Sequence, residues 1–304
     1  MDFNDFLECN GVVVQRTGAM GDVIWTTPLF KYMRDAGFKG SITVATQHRE
    51  VFQNNPYVTN VVSPACVRNA LGQEGVWDLD WAYESNRNKH MLEAYCNVLG
   101  IDYTLVEKQP LLYQDDSDHQ WVHETVLSGS LVDCRGTVVI HAAASPDRTW
   151  SCLRWEKLSD HLIKLGFFVI CVGAANDYHL QPRREVLDLI GLTTLGQVTA
   201  LIEHADAFIG IDSGIANAAF STQTPSIVLY GMAAAHTRLP GTCIHYGVRA
   251  NPTDCDCLGC LNKLPVHAPP LCHNFQKAKC MDLISVDDVI DAFVELREHS
   301  AEIP

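Results

Sequence analysis

The sequence has 304 residues, of which 47% are hydrophobic, and this composition is sufficient for two substantial cores. Its formal net charge of −14 disfavours long-range attraction to nucleic acids or anionic membranes, because both carry dense negative charge. No apolar run approaches the roughly 20 residues of a membrane span, and residues 1–10 are acidic and polar, unlike a secretion signal.

The first half of the chain alternates strand patterns with helical ones. Strands are predicted at residues 12–15, 41–45, 60–63 and 78–82, and helices at 23–34 and 89–99. A glycine-rich turn follows the first strand, and in it Gly18 and Gly21 precede Asp22. This spacing differs from the dinucleotide pattern G-x-G-x-x-G, so it supports a nicotinamide or flavin enzyme only weakly. At such a junction Asp22 either points at a ligand cleft or caps its own helix.

A polar, acidic stretch around residues 115–135 separates two halves, and we place the domain boundary between residues 1–134 and 135–304. In the second half, strands are predicted at 137–141, 167–172, 188–190, 207–211 and 226–230, and helices at 155–165, 195–205, 215–221 and from 285 onwards. The predicted fold class is therefore α/β, with two Rossmann-like domains that face each other across a cleft.

The strand predicted at 207–211 leads directly into Asp212, Ser213 and Gly214. A buried parallel strand that turns into a helix at this point aims backbone N–H groups and the helix dipole at a ligand. Gly214 permits the tight turn, and Ser213 can cap the helix and donate to a phosphate oxygen. Asp212 is suited to orienting backbone or sugar hydroxyls. The pattern indicates an anion site, with an ordinary helix cap as the alternative.

The twelve cysteines fall into two groups. Several, such as Cys96, Cys134 and Cys171, stand alone in apolar elements, as small buried hydrophobes do. Others cluster in a loop at residues 243–281, which has no convincing strand or helix. The clustered residues include Cys255, Cys257, Cys260, Cys272 and Cys280. In a reducing compartment this spacing favours a tetrahedral zinc or iron ion over disulfides, with free thiols as the alternative.

Several short motifs follow one another in a defined order along the chain. They are Gly18-x-x-Gly21-Asp22-Val23-Ile24-x-Thr26-Thr27-Pro28, Asn55-Pro56-Tyr57-Val58, Gly191-x-x-x-Leu195-Gly196-Gln197 with Ala205, Ile209-Gly210-x-Asp212-Ser213-Gly214 and Thr224-Pro225-Ser226-Ile227-Val228-x-Tyr230-Gly231. In their joint spacing they resemble glycosyltransferase family 9, the heptosyltransferases. The resemblance implies a GT-B fold, in which residues 135–304 hold a nucleotide-sugar donor, usually ADP-heptose, and residues 1–134 hold the acceptor.

The resemblance also implies roles for single residues. Asp22 matches the family's general base, which takes the proton of the acceptor hydroxyl during inverting transfer. Arg148 matches the basic residue that neutralises the diphosphate leaving group, where Lys is more usual. Asp177 matches the acidic residue that holds the ribose hydroxyls, with a loop residue that caps a helix as the alternative. The other expected donor-binding residues are Gly18, Gly21, Ser145, Thr194, Asp212, Ser213, Gly214 and Asn217.

Two positions depart from the family pattern. Asn217 stands where the family has His, and an amide can donate a hydrogen bond but carries no charge. Residues 142–145 read Ala-Ala-Ala-Ser where hydroxyls often meet the diphosphate, so Ser145 is the only side-chain donor in that run. These departures bear on the identity of the donor rather than on the type of reaction.

The cysteine-rich loop carries a further resemblance, to the family branch that heptosylates bacterial autotransporter proteins and holds a cysteine-bound iron. The matching elements are Cys257-x-x-Cys260 and the segment that begins at Cys280. The resemblance implies these three cysteines as metal ligands, and the fourth is Cys272, Cys243 or Cys255. Because this chain is shorter than that branch, the branch's acceptor is not carried over.

These observations together predict a cytoplasmic, inverting glycosyltransferase that moves a sugar, heptose in the first instance, from a nucleotide diphosphate sugar to a hydroxyl. A lipopolysaccharide core sugar is the first acceptor class and a protein Ser or Thr the second. A modified nucleobase is disfavoured by the net charge. The chemistry needs no cofactor, and any metal is structural. The alternative from another class is a sugar-nucleotide-binding protein without catalytic activity.

Overall fold

The computed structural model describes residues 10–127, 134–142, 148–265, 272 and 278–300. The chain divides into two compact units, Met1–Tyr113 and Gln114–Pro304. The boundary expected after residue 134 lies inside the second unit, because the helix Asp116–Val122 packs against the helix Leu195–Glu203. The acidic stretch before residue 135 thus belongs to the second unit.

The first unit contains a parallel four-stranded sheet with the strand order β3-β2-β1-β4. Its strands are β1 (Gly11–Gln15), β2 (Ser41–Ala45), β3 (Asn60–Val62) and β4 (Val76–Asp78), and its helices include α1 (Met20–Ile24), α2 (Thr27–Asp35) and α3 (Met91–Leu99). In β1, Val14 is opposite Val44 of β2 and Trp77 of β4. The carboxyl end of β1 therefore lies between two neighbouring strands, at the edge where open parallel sheets bind ligands.

The single helix predicted at residues 23–34 is in fact two helices. α1 ends at Ile24, and α2 begins at Thr27 with Pro28 in its first turn. Proline is tolerated in a first turn but not in a helix interior, because it lacks an N–H group and clashes with the preceding turn. The Thr27 hydroxyl donates to the carbonyl of Ile24 at 2.7 Å and satisfies one acceptor at the end of α1. The break leaves Asp22 in the first turn of a short helix of its own.

The second unit contains a parallel sheet with the strand order β10-β9-β8-β5-β6-β7. Its strands are β5 (Gly136–His141), β6 (Phe167–Cys171), β7 (Val186–Asp188), β8 (Ala207–Ile211), β9 (Ser226–Tyr230) and β10 (His245–Arg249). Its helices include α4 (Asp116–Val122), α5 (Cys152–Lys164), α6 (Leu195–Glu203), α7 (Gly214–Ala219), α8 (Lys279–Asp282) and α9 (Val286–Ser300). β5 and β8 are adjacent and central, with Ile140 opposite Ile209. The predicted α/β class is confirmed by these two sheets.

Some predicted elements differ from those observed. The strand predicted at 78–82 is β4, which ends at Asp78, and the strand predicted at 188–190 is β7, which also ends earlier. The cysteine-rich loop at 243–281 contains β10 and α8, which the sequence did not indicate. β10 is an edge strand with exposed positions, so it lacks the continuous apolar run of a central strand. Residues 266–271 and 273–277 of this loop lie outside the described residues.

A pair of buried tryptophans anchors the chain after β5. The rings of Trp150 and Trp155 meet edge to face, 4.8 Å apart, and both are fully buried. The indole N–H of Trp150 donates to the carbonyl of Ile284 at 2.9 Å, just before α9.

Within the described residues, no helix has both the length and the apolar character that crossing a membrane requires.

Candidate active site

Arg16 directly follows β1, and its side chain is only 2% exposed. Its Nη2 donates to Oδ2 of Asp22 and to Oε1 of Glu84, each at 2.9 Å. Its Nη1 donates to the carbonyl of Leu79 at 2.9 Å and lies 3.5 Å from Oε2 of Glu84. A buried guanidinium is tolerated only when it is paired, and Arg16 is paired with carboxylates at the end of β1.

Asp22 lies at the edge of this cluster, with its side chain 16% exposed. Both hydrogen bonds that it accepts from described residues go to Oδ2, one from Arg16 and one from the backbone N–H of Ala19 at 3.1 Å. The bond from Ala19 means that Asp22 also caps its own helix. Oδ1 accepts no hydrogen bond from the described residues and retains its capacity to accept a proton.

Gly18 makes the contact between Arg16 and Asp22 sterically possible. A Cβ atom at this position would lie 2.3 Å from Oδ2 of Asp22 and 2.8 Å from Nη2 of Arg16. Any side chain would therefore displace one of the two charged groups. Gly21 is buried within α1, and its carbonyl accepts the N–H of Trp25 at 3.3 Å.

The loop after β4 closes the cluster from the other side. Asp80 accepts hydrogen bonds from the backbone N–H and the hydroxyl of Thr17, at 2.7 and 2.6 Å, and lies 3.6 Å from Arg16. The next residue, Trp81, has a φ of 64° and is 51% exposed. This is the left-handed region, which a bulky side chain rarely adopts. One arginine and three carboxylates thus meet at the carboxyl end of β1.

Arg148 and Asp212 form the corresponding ion pair in the second unit. Nη1 of Arg148 donates to the backbone carbonyl of Asp212 at 3.0 Å and lies 3.3 Å from its Oδ2. The Asp212 side chain is 9% exposed, whereas that of Arg148 is 40% exposed. Part of the Arg148 side chain is therefore accessible to an anion from solvent.

Ser213 caps α7 and also joins a chain of side chains at the ends of β5, β6 and β8. Its Oγ accepts the N–H of Ala216 at 3.2 Å and lies 3.0 Å from Nδ1 of His141. Nε2 of His141 is 3.5 Å from Oδ2 of Asp177. The hydrogen bond with His141 is the main cause that holds the pKa of Asp177 below its usual value. Two predicted residues are thus linked through a histidine that the motifs did not include.

The other residues predicted to bind the nucleotide-sugar donor lie in different parts of the second unit. Gly214 begins α7, and Asn217 is buried in the same helix, where its Nδ2 donates to the carbonyl of Ser213 at 2.9 Å. Thr194 caps α6 by accepting the N–H of Gln197 at 3.2 Å. Ser145 lies outside the described residues.

Five cysteines of the second unit, which we term the thiol cluster, lie in or beside its core. They are Cys255, Cys257, Cys260, Cys272 and Cys280. The Sγ atoms of Cys255 and Cys257 are 3.7 Å apart. Burial, and then the thiols of those two residues, raises the pKa of Cys280 to about 12.

The predicted metal ligands do not form a complete site in the described part of the chain. No group of three or more His, Cys, Asp or Glu side chains among the described residues is arranged to hold a metal ion. Neither the thiol cluster nor any other described cysteine forms a disulfide, and Cys243 is exposed.

Gly231 lies where the thiol cluster meets the end of β9. A Cβ atom there would be 2.6 Å from Sγ of Cys280 and 2.8 Å from Sδ of Met281. The N–H of Gly259 donates to the Gly231 carbonyl at 3.0 Å. The loop therefore packs closely on the backbone at this glycine.

Residues 65–253 match the model of glycosyltransferase family 9 (heptosyltransferase). Because the match covers more than half of the sequence, the chain belongs to glycosyltransferase family 9. It is therefore a glycosyltransferase, as the motifs predicted. No curated protein matches the sequence.

Solved structures of glycosyltransferases share this fold. A glycosyltransferase family 9 protein from Veillonella parvula has a TM-score of 0.73 and 18% identity, with 96% of this chain and 98% of that chain covered. E. coli ADP-heptose lipopolysaccharide heptosyltransferase II has a TM-score of 0.70 and 15% identity, with coverage of 96% and 100%.

A third similar structure is that of TibC from enterotoxigenic E. coli, described as an iron-containing dodecameric glycosyltransferase. Its TM-score is 0.71 at 18% identity, with 97% of this chain and 80% of that chain covered. TibC has also been solved in complex with ADP-D-β-D-heptose. At these identities the likeness is one of fold, and it confirms the GT-B class.

Proposed function

We propose that this protein transfers a heptose, with inversion, from ADP-heptose to a hydroxyl of its acceptor. Family membership supports the reaction class, and the complex of TibC with ADP-D-β-D-heptose supports the donor. The observation in this chain that carries the proposal is the Asp22 carboxylate. Arg16 holds its Oδ2 at 2.9 Å at the carboxyl end of β1, while Oδ1 accepts no bond from the described residues.

In the proposed reaction, the acceptor oxygen attacks the anomeric carbon of the heptose as the bond from that carbon to the diphosphate oxygen breaks. The hydroxyl proton passes to Oδ1 of Asp22, and ADP departs with the bonding electron pair. A carboxylate is needed because a neutral hydroxyl is a poor nucleophile. Arg148 offsets the negative charge that develops on the diphosphate, and its 40% exposed side chain is consistent with this role.

We assign the donor to the second unit and the acceptor to the first. Asp177 is proposed to hold the ribose, and Asp212 to orient sugar or backbone groups. The residues proposed to surround the diphosphate are Ser145, Thr194, Ser213, Gly214 and Asn217, while Gly18 and Gly21 shape the turn that carries Asp22. The strand-end positions of Asp212 and Ser213 support this assignment, since open α/β sheets bind ligands at those ends.

The acceptor is proposed to be a lipopolysaccharide core sugar, with a protein Ser or Thr second. The test is to incubate the protein with ADP-heptose and either a heptose-deficient lipopolysaccharide or a Ser/Thr-rich peptide, and to weigh the products by mass spectrometry. We expect one heptose to be added and one ADP released per acceptor. Binding of ADP-heptose without release of ADP in either reaction would instead indicate a catalytically silent sugar-nucleotide-binding protein.

We also propose that the thiol cluster holds one zinc or iron ion with a structural role. Tetrahedral thiolates about 2.3 Å from a metal lie about 3.8 Å apart, and the distance of 3.7 Å between Sγ of Cys255 and Sγ of Cys257 agrees with this. Cys257, Cys260 and Cys280 are proposed as ligands, with Cys272, Cys243 or Cys255 as the fourth. Binding requires these thiols to move together, because among the described residues they are not arranged to hold a metal ion. The description of TibC as iron-containing supports iron as the metal.

Elemental analysis of protein purified without added metal tests this second proposal. We expect about one equivalent of zinc or iron, which Cys257→Ser lowers and Cys66→Ser, at an exposed site outside the thiol cluster, leaves unchanged. Less than about a tenth of an equivalent in folded protein would show that these residues are free thiols.

A further inference from the structure

We infer that Glu84 is a positioning residue that keeps Asp22 basic by holding the charge of Arg16. The inference rests on the proposed role of Asp22 as the general base and adds a partner to it. Its basis is that one guanidinium nitrogen, Nη2 of Arg16, donates to both carboxylates at the same distance of 2.9 Å.

The two carboxylates share Arg16 unequally. Glu84 faces both terminal nitrogens, with Oε1 2.9 Å from Nη2 and Oε2 3.5 Å from Nη1. Asp22 is in contact with Nη2 alone. Glu84 thus approaches the paired geometry in which a carboxylate holds a guanidinium most strongly, and Asp22 takes a single bond from the side.

The unequal sharing of Arg16 is important because Arg16 is buried. The Arg16 side chain is 2% exposed, so water cannot replace a lost carboxylate. If Asp22 were its only strong partner, protonation of Asp22 would leave a buried cation unpaired, which is costly. Because the Glu84 carboxyl group also pairs with Arg16, Asp22 can take the acceptor's proton without leaving Arg16 unpaired.

Other polar and charged groups also face Asp22 and Arg16. Asp80 lies 3.6 Å from Arg16, but both its oxygens accept bonds from Thr17. The Tyr95 hydroxyl donates to the backbone carbonyl of Asp22 at 3.2 Å. The Arg16 guanidinium lies over the rings of Tyr83 and Tyr95, 5.2 and 5.5 Å from their centroids. Glu84 is therefore the carboxylate that competes most directly with Asp22 for Arg16.

The test is the pH dependence of heptose transfer from ADP-heptose to the heptose-deficient lipopolysaccharide, followed by ADP release, in Glu84→Gln. This variant keeps the shape of the side chain but removes its charge. In this variant the positive charge of Arg16 acts mainly on Asp22 and favours its ionised form. We expect the acidic limb of the pH–rate profile to move to lower pH, and the plateau kcat to fall by about threefold to tenfold because the base is weaker. The KM for ADP-heptose should not change. Arg16→Gln should move the same limb to higher pH, because it removes the cation.

The control is Glu93→Gln, which removes a partly exposed carboxylate of α3 that pairs with Lys89. It should leave the limb in place. A limb that does not move in Glu84→Gln, with folding verified by thermal unfolding, would overturn the inference while leaving the proposed function intact. Absence of ADP release from the wild type would overturn both.

A readout without activity is the carboxyl ¹³C NMR titration of Asp22, assigned by its loss in Asp22→Asn. In Glu84→Gln we expect the signal to change over a lower pH range than in the wild type. The same pH range in both proteins would also overturn the inference.

Discussion

Each unit of this protein has an ion pair with one buried and one more exposed member, and the charge of the buried member differs between the two. In the first unit the cation is interior, with Arg16 2% exposed, and the carboxylate of Asp22 reaches outward at 16%. In the second unit the carboxylate is interior, with Asp212 9% exposed, and the cation of Arg148 reaches outward at 40%. In each pair, the buried member fixes the position of the member that can meet a ligand. An outward carboxylate suits the removal of a proton, and an outward guanidinium suits the binding of a diphosphate.

The largest expected effect comes from Asp22→Asn, which removes the outward carboxylate but preserves its shape. We expect kcat to fall by about 10²–10⁴-fold with donor binding nearly unchanged, because the carboxylate acts in the transition state. The measurement is steady-state kinetics with ADP-heptose and the acceptor. A rate near that of the wild type would mean that Asp22 serves only as a helix cap.

The second largest effect is expected from Gly18→Ala, because it separates Arg16 from Asp22 without removing either. The new methyl would lie 2.3 Å from Oδ2 of Asp22 and must displace it. A displacement of this kind costs about 10²-fold in kcat. The matched control is Gly241→Ala, because a Cβ atom at that position meets nothing within 4 Å. Equal rates in the two variants would show that the alignment of Asp22 does not limit transfer.

A smaller effect is expected from Arg148→Ala, which removes the outward cation of the second pair. ADP should raise the Tm of the wild type, because a ligand that binds only the folded state stabilises it. The loss of one charge-assisted hydrogen bond should weaken ADP binding by about tenfold and reduce this rise. Arg154→Ala, which removes a guanidinium bonded to the Asp282 carbonyl at 2.6 Å, is the control. If ADP raises the Tm of wild type and Arg148→Ala equally, Arg148 is not in the donor site.

The smallest effect concerns pH. The pKa of Asp177 is lowered first by its hydrogen bond with His141. A lowered carboxyl pKa adds stability above the ordinary carboxyl range, and this stability is lost as the pH falls through the lowered value. Asp177→Asn should therefore be less stable than the wild type near neutral pH, by under about 1 kcal/mol because the group is partly exposed to solvent. The difference should close in acid, as measured by urea unfolding at several pH values. A difference that persists in acid would have to arise from packing.

Much of the fold could be predicted from the sequence, because buried parallel strands leave continuous apolar runs between turns. The strands at 41–45, 207–211 and 226–230 have the bounds that were predicted. Asp22 and Ser213 were located by the same logic, since each follows a strand and opens a helix.

The partners of these residues could not be predicted in the same way. Arg16 reads as an ordinary basic residue after a strand, and Glu84 is 68 positions away. Only the closure of the loop after β4 brings them together. His141 had a usable signal, since it ends β5 at the sheet edge where ligands bind, but its contacts with Ser213 and Asp177 depend on the pairing of separate strands.

Gly231 has a consequence for how sequences of this kind can diverge. A methyl group there would fall 2.6 Å from the sulfur of Cys280 and 2.8 Å from that of Met281, some fifty positions further along the chain. A substitution at residue 231 is therefore not an independent event. It requires the side chains at both 280 and 281 to shift or to be smaller, so the residues that suit the end of β9 depend on those at the start of α8.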